Sequence, residues 1–501
     1  MSDSRTRTKI RKRKSLRRVS GSGTSKRKKS GSRGSRPQPP PIRGSRSDVN
    51  GVIKLKLTGT AYEVGYAHGH LLKAEIREML EMFRFYMPYK YGRSVEFFIK
   101  LVCDFFLPNV KARYPEIYRE MEGIAEGAGV TVNRVLFLNS ALSVEYLYSN
   151  LPTVLKTAHP SLRRKYRNFL EDYGGGMPAV QTHMHTEERC TAFIATGSYT
   201  RDGKIVCAHN TNGKFIENQY YNVLVEIRPK TGYAITMQTA PGFIFSGSDF
   251  FVTGAGIIGT ETTIKWFTAY KHRDPIFCRI RKCMQYGNTL DDYVATLLKH
   301  NSGDYACSWL FGSIKTGEIM CLELGADYHS LRRTKDGVFV GANGVLDPKI
   351  RNLECSPEAG LYHHDTRTSV WARHHRVAEL VEAQRGKLDL TIGAKILADH
   401  YDGYLKKYGP GSNRSICKHS ELDDARHTTE TDVTPFMPDG SIDAAVTDAT
   451  IASKMSFLYR FGNSCGTPFK KIEYFAKHPQ WEHLAPYIKD RPSQPWIKFG
   501  P

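Results

Sequence analysis

None of the ten cysteines in this 501-residue chain forms a Cys-x-x-Cys pair, no apolar run reaches membrane-spanning length, and nothing repeats at a fixed period. The first absence argues against zinc ribbons and dithiol redox motifs, and cysteines scattered through a long chain argue against a disulfide scaffold. The second argues against a membrane span: the most apolar stretch, "VEFFIKLVCDFFLPNV" from residue 95, is broken by Lys100 and Asp104. The third argues against solenoids and propellers. No apolar segment follows the basic start, so no secretory signal is expected and the protein is placed inside the cell with its thiols reduced. "GTAYEVGYAHG" (59–69) has spaced glycines but neither the Lys-Ser/Thr ending of a phosphate-binding loop nor dinucleotide-binding spacing, and it reads as a turn before a helix.

Positive charge, by contrast, is plentiful and unevenly spread. Of the formal net charge of +22, residues 1–48 hold +15, from 17 Lys and Arg against Asp3 and Asp48. That segment is built from Arg, Lys, Ser, Gly and Pro. It cannot bury enough apolar surface to offset its ordering entropy, and it is expected to be disordered. Its basic clusters suit a solvated extension, a nuclear-targeting signal, or a tether to nucleic acid or an anionic surface.

Beyond the tail the composition is globular, with 40% hydrophobic and 11% aromatic residues. "VIKLKLTGT" (52–60) alternates as a strand does, and residues 61–148 carry helical periodicity in several segments. Residues 49–189 are therefore expected to be mainly helical, ending in a long exposed loop over 150–189 that contains a triple glycine. From residue 190 the pattern turns to hairpins, "CTAFIATGSYT" with "KIVCAHN", "YYNVLVEIR" with "YAITMQTA", "FFVTGAGIIGTETTI", and "YACSWLFGSI" with "EIMCLELG". Helices are expected at 274–287, 289–300, 366–384 and 390–400. The chain thus reads as α+β, with antiparallel sheets covered by helices over 190–501 and packed with 49–189 into one globular unit.

Cys190 stands out within this pattern. It heads a strand directly after Glu187, Glu188 and Arg189, residues that belong on a solvated loop, so it is presented rather than packed. Breaking the Arg189–Cys190 peptide by attack of the Cys190 sulfur on the preceding carbonyl would leave a new amino terminus. An α-amino group titrates at about 7.7–8.0, so it can take the thiol proton and supply the base without a separate histidine. The oxyanion that forms needs donors, and the side chains of Asn210 and Asn212 and the backbone around Gly242, Gly247 and Gly254 are candidates.

The blocks "CTAFIATGSYTRDGKIVCAHNTN", "MQTAPGFIFSGSDFFVTGAGIIGTETTI", "GTAYEVGYAHGHLL" and "NSGDYACSWLFGSIKTGEIMCLEL" resemble the phospholipase B-like family and the autoproteolytic acyltransferases of the penicillin acyltransferase type, both N-terminal nucleophile hydrolases. The resemblance covers residue 52 onward. It implies a four-layer αββα sandwich, self-cleavage between Arg189 and Cys190, and hydrolysis or transfer of an acyl group from an amide or ester of a lipid-like or N-acyl substrate, with no cofactor. The two products, residues 1–189 and 190–501, would stay associated through a shared core. Carried over by position, Cys190 falls on the nucleophile, and "AHNTN" places His209, Asn210 and Asn212 near the reaction centre. Cys307 and Glu261 fall on the supporting oxyanion region. Asn212 departs from the "HNTW" of phospholipase B-like members. Cys307 stands where relatives carry an asparagine, and a thiol is the weaker donor. The alternative is a catalytically silent scaffold acting through residues 1–48 on nucleic acid or an anionic surface.

Other candidates read as structural. His183 and His185, the pairs His363 with His364 and His374 with His375, and "CKH" at 417–419 show no spaced set of four ligands, so no metal site is expected. Arg367, Arg373 and Arg376 are expected to form a solvated basic helix face.

Overall fold

The computed structural model describes residues 40–169, 190–247, 249–424, 426 and 434–501. Residues 1–39, the cleavage position at Arg189, and His183 and His185 lie outside them. Residues 41–501 form one compact unit. Among the described residues no helix is long and apolar enough to cross a membrane.

The first helix, Ala61–Leu71, starts where Thr60 and Glu63 cap each other's backbone amides. It packs on the helix Pro115–Ala128 with almost nothing between the two backbones. A Cβ on Gly65 would lie 2.0 Å from the Glu120 carbonyl oxygen, and one on Gly127 would lie 2.3 Å from that of Tyr66. Gly69 and Gly123 are equally tight. Of the glycines in "GTAYEVGYAHG", Gly59 turns the chain ahead of the helix at φ +125°, as expected, while Gly65 and Gly69 sit inside it. Their spacing of four puts them on one face, and their missing side chains let the neighbour approach.

Among the described residues seventeen strands build three sheets. The nine-stranded sheet runs in the order β1 (Gly44–Val49), β2 (Val52–Gly59), β5 (Val223–Pro229), β6 (Ile235–Thr239), β7 (Phe250–Thr253), β8 (Ile257–Thr263), β9 (Cys307–Ser313), β10 (Glu318–Leu324) and β11 (His329–Thr334). Only β2 and β5 pair parallel in it. The six-stranded sheet, antiparallel throughout, is ordered β12 (Gly337–Gly341), β3 (Cys190–Thr196), β4 (Val206–Lys214), β15 (Asp439–Asp448), β16 (Phe457–Phe461) and β17 (Ile497–Phe499). A short ribbon joins β13 (Tyr401–Asp402) to β14 (Lys407–Tyr408).

The architecture is thus mixed α+β with antiparallel sheets, as the hairpin pattern predicts. Helix Ala61–Leu71 lies on β1, β2 and β5, and helix Leu290–Leu298 on β9 and β10. The two large sheets meet where β3 packs on β8, β9 and β10. Helices Ser369–Ala383 and Leu390–Leu397 cover the other side of the six-stranded sheet, the first on β3 and β12, the second on β4 and β15.

Two local expectations differ from the structure. Strand β1 overlaps the end of the segment expected to be disordered. Backbone pairing with β2 orders it, and Arg46 bonds to both Asp48 and Glu75. The segment expected as a loop from 150 begins with the helices Leu151–Thr157 and Pro160–Lys165. Each has a proline in its first turn, where no intrahelical donor is lost, and Leu151 and Leu155 are buried.

Candidate active site

Cys190 is the first residue of β3, and each of its polar groups meets a different side chain. Its backbone nitrogen lies 3.3 Å from Asn343 Oδ1. Its carbonyl oxygen accepts from Arg373 Nη1 at 2.6 Å. Its Sγ lies 3.7 Å from Glu261 Oε1, across the gap between the two sheets. The residue is 1% exposed. Charged flanks suggested a presented sulfur, yet the structure buries it, and it does so among polar partners.

Those partners are fixed in turn. Asn343 sits at φ 72°, a left-handed conformation that asparagine tolerates better than most residues, in the Gly-Ala-Asn-Gly turn after β12. Its Nδ2 donates to the Thr263 carbonyl at 2.7 Å, and its Oδ1 also accepts from Arg373 Nη2 at 3.0 Å. Gly341 makes this possible, since a Cβ there would meet Thr262 Oγ1 at 2.5 Å. Arg373 is fully buried on the helix Ser369–Ala383 and bonds Ser369 Oγ and Thr191 Oγ1 as well. The expectation of a solvated arginine face is corrected here. Arg373 ties the helix to the head of β3, Arg376 pairs with Asp399 at 3.0 Å while largely buried, and only Arg367 is exposed, against Asp365.

Glu261 belongs to β8 and is fully buried. The Tyr305 hydroxyl lies 2.8 Å from Glu261 Oε1 and 3.0 Å from Asp249 Oδ2, and receives a bond from Thr263 Oγ1. Burial, reinforced by the two carboxylates, pushes the Tyr305 phenol well above its usual range, so it stays a proton donor. Cys307 heads β9 and faces the same carboxylate. Burial first and Glu261 second push its thiol well above the usual value, so it too keeps its proton.

The register of β3 with β4 decides where the "AHNTN" residues go. Cys190 pairs with Thr211, and Ala192 with His209. Directly opposed residues share a face, so Thr211 and His209 stand on the Cys190 side of the sheet while Asn210 and Asn212 point to the other. Asn210 Nδ2 lies 3.0 Å from the Ile416 carbonyl and 3.3 Å from both the Leu397 carbonyl and Ser464 Oγ. Asn212 is buried, with neither amide atom bonded among the described residues. His209 is fully buried, and burial holds its imidazole down to about 3, neutral at ordinary pH. Thr211 carries a buried hydroxyl with no partner among the described residues.

Of the glycine-loop amides, Gly242 donates to His68 Nε2 at 2.9 Å and Gly254 to the Ala234 carbonyl at 2.8 Å, so both are already engaged. The structure brings Cys190, Glu261, Cys307 and His209 to one side of the six-stranded sheet. It adds Asn343, Tyr305, Asp249 and Thr211, which sequence reasoning did not place there, while Arg373 reaches the head of β3 from the helix on the opposite side. For Asn343 the only local signal was an asparagine between close glycines. A cleft lined by Leu390, Ala394, Leu458, Arg460, Ser464 and Trp496 opens on the opposite, helix-covered side.

No protein-family profile matches the chain. Among curated proteins it is similar to an uncharacterized protein of Archaeoglobus fulgidus, 24% identical over 409 residues, covering 74% of this chain. The match spans 62% of that relative's length. Among solved structures it is similar to an arginine-to-leucine variant of a conjugated bile acid hydrolase from Clostridium perfringens, with a TM-score of 0.33 and 13% identity over 54% of this chain and 89% of that one.

Proposed function

We propose that this protein is a cysteine N-terminal nucleophile hydrolase that cleaves an amide or ester, and that Cys190 becomes its nucleophile after the peptide before it is cut. The observation that supports this most is the separate anchoring of the nitrogen, carbonyl and sulfur of one strand-leading cysteine by Asn343, Arg373 and Glu261. An inert core cysteine needs only apolar packing. The helix, sheet, sheet, helix order of the packing supports reading the fold as a four-layer sandwich.

In the maturation step the Cys190 sulfur attacks the Arg189 carbonyl carbon. The C–S bond forms, the C–N bond breaks, and the thiol proton passes to the departing nitrogen. Water then hydrolyses the thioester and releases the Arg189 carboxylate. In turnover the free α-amino group takes the thiol proton, the thiolate attacks the acyl carbon, the leaving amine or alkoxide recovers the proton, and water then hydrolyses the S-acyl bond, releasing the acid and restoring the thiol. Asn343 Oδ1 is placed to orient that amino group, and the Glu261 carboxylate favours the positive charge it gains. The Thr211 hydroxyl, across the strand pair from Cys190, is the donor proposed for the oxyanion.

Denaturing intact-mass analysis of purified protein tests this. We expect two chains meeting between Arg189 and Cys190 in the wild type and one full-length chain in Cys190→Ala. Processed protein is then assayed on N-acyl amino acids, phospholipid esters and β-lactam amides. A wild type that remains a single chain, indistinguishable from Cys190→Ala and inert on all three classes, overturns the reading. A second reading, the silent scaffold, is favoured by the 1% exposure of Cys190, and that same outcome would select it.

A further inference from the structure

On the helix-covered side of the six-stranded sheet, four side chains from three separate segments converge. His400 follows the helix Leu390–Leu397, Cys417 and His419 lie two residues apart on an irregular segment, and Cys465 sits in the turn after β16. One donor atom from each lies within 4.8 Å of every other. The His419 Nε2 is 3.4 Å from Cys417 Sγ and 3.4 Å from Cys465 Sγ. Both cysteines are free thiols.

We propose that His400, Cys417, His419 and Cys465 bind a zinc ion. Tetrahedral zinc with bonds of roughly 2.3 Å to sulfur and 2.0 Å to nitrogen puts its ligands about 3.5 Å apart, which the two sulfur–nitrogen separations match. Two thiolates with two imidazoles suit zinc over the oxygen-seeking cations. The surroundings are those of a ligand set and not of a chance cluster. Glu421 Oε1 lies 2.8 Å from His419 Nδ1. A carboxylate there holds the proton on Nδ1 and turns the Nε2 lone pair toward the two sulfurs. The Thr467 amide donates to Cys465 Sγ at 3.3 Å, as amides do to a thiolate ligand. Gly411, at φ +115°, has no side chain to displace the His419 ring, since a Cβ there would lie 2.4 Å from Cδ2. The Cys417 amide donates to the Asp399 carbonyl at 3.0 Å, which brings the neighbouring His400 to the site.

All four positions are filled by protein, so the site is structural, and loading it releases two thiol protons to solvent. It clamps the 398–419 region and the turn at 462–467 onto the sheet. Asn210 of β4 bonds to Ile416 and Ser464, the residues immediately before two of the ligands. The "CKH" stretch, read from spacing as metal-free, thus supplies half of the set. Its partners come from elsewhere in the chain, where no sequence motif links them.

Tag-free full-length protein, dialysed and analysed by plasma emission, tests this alongside Cys417→Ser, Cys465→Ser and Cys307→Ser. We expect about one zinc per chain in the wild type and in Cys307→Ser, and a loss of roughly tenfold or more in the two ligand variants. Because a ligand variant that unfolds would also lose metal, wild-type protein stripped by chelator is reloaded with Co²⁺. Intense visible bands of tetrahedral, sulfur-ligated cobalt, saturating at one equivalent and abolished by Zn²⁺, support the site. A wild type with under a tenth of an equivalent of metal and no such bands overturns it. So does a Cys417–Cys465 disulfide found by alkylation under nonreducing conditions. Neither result bears on the chemistry of Cys190, which lies on the other side of the sheet.

Discussion

The two sides of β4 do different work with adjacent residues. Thr211 and His209 face the gap between the large sheets, where Cys190 meets Glu261. Asn210 faces outward and holds the backbone that carries Cys417 and Cys465. A strand whose side chains alternate can serve a reaction on one side and a framework on the other without the two touching. Proximity to Cys190 in sequence therefore says little until the side is known.

The largest effect expected is at the sulfur. Cys190→Ala should abolish processing and lower acyl turnover on the order of a million-fold, measured by intact mass and by product release, with zinc content unchanged. Thr211→Val keeps shape but removes the hydroxyl. It should lower kcat about 100-fold or more, with KM and metal content held, if the hydroxyl meets the oxyanion. Wild-type kcat in that variant would remove Thr211 from the reaction. Asn210→Ala breaks the outward side: urea unfolding should show a loss of about 1–3 kcal/mol, because carbonyls of Leu397 and Ile416 lose a buried donor, while turnover per folded molecule falls less than in Thr211→Val. A large kcat loss with unchanged stability would reverse the assignment of sides.

The smallest effect is on pH dependence, and it sharpens the inward side. His209 is neutral in the fold down to about 3 and is protonated below about 6.5 once unfolded. Over that window the unfolded chain binds the extra proton, so stability falls as pH falls, by about 1.4 kcal/mol per unit for each such group. His68, held down to about 4 by burial, adds to the same slope from about 6.5 to 4. Urea midpoints between pH 7 and 5 should decline more gently in His209→Gln than in the wild type.

Much of this was legible in the sequence, and the part that was not has a physical reason. The hairpins β3–β4, β5–β6 and β9–β10 announce themselves by alternation and glycine turns, and Cys190 by its position at a pattern change. What alternation alone withholds is absolute orientation: "AHNTN" reads as two interleaved sets, and only the second sheet shows that the 209 and 211 set faces Cys190. Asn343 and Arg373 lie far along the chain from Cys190, and nothing local marks a turn asparagine or a helix arginine as the holder of a distant backbone group. Strand β15 is not legible because "DGSIDAAVTD" opens with residues poor in strand propensity, and pairing with β4 on one edge and β16 on the other makes it a strand. Cys417 and His419 are visible as "CKH", but their partners His400 and Cys465, like Asn343, carry no local mark.

The glycine seam between Ala61–Leu71 and Pro115–Ala128 bears on how the molecule moves. Side chains that interdigitate can swap rotamers and let helices slide, but a contact of main chain on main chain has no such joints. The pair must therefore fluctuate as a single stiff plate. Its inner amides should be among the last in the protein to trade hydrogen for deuterium, outlasting the outer helices around them.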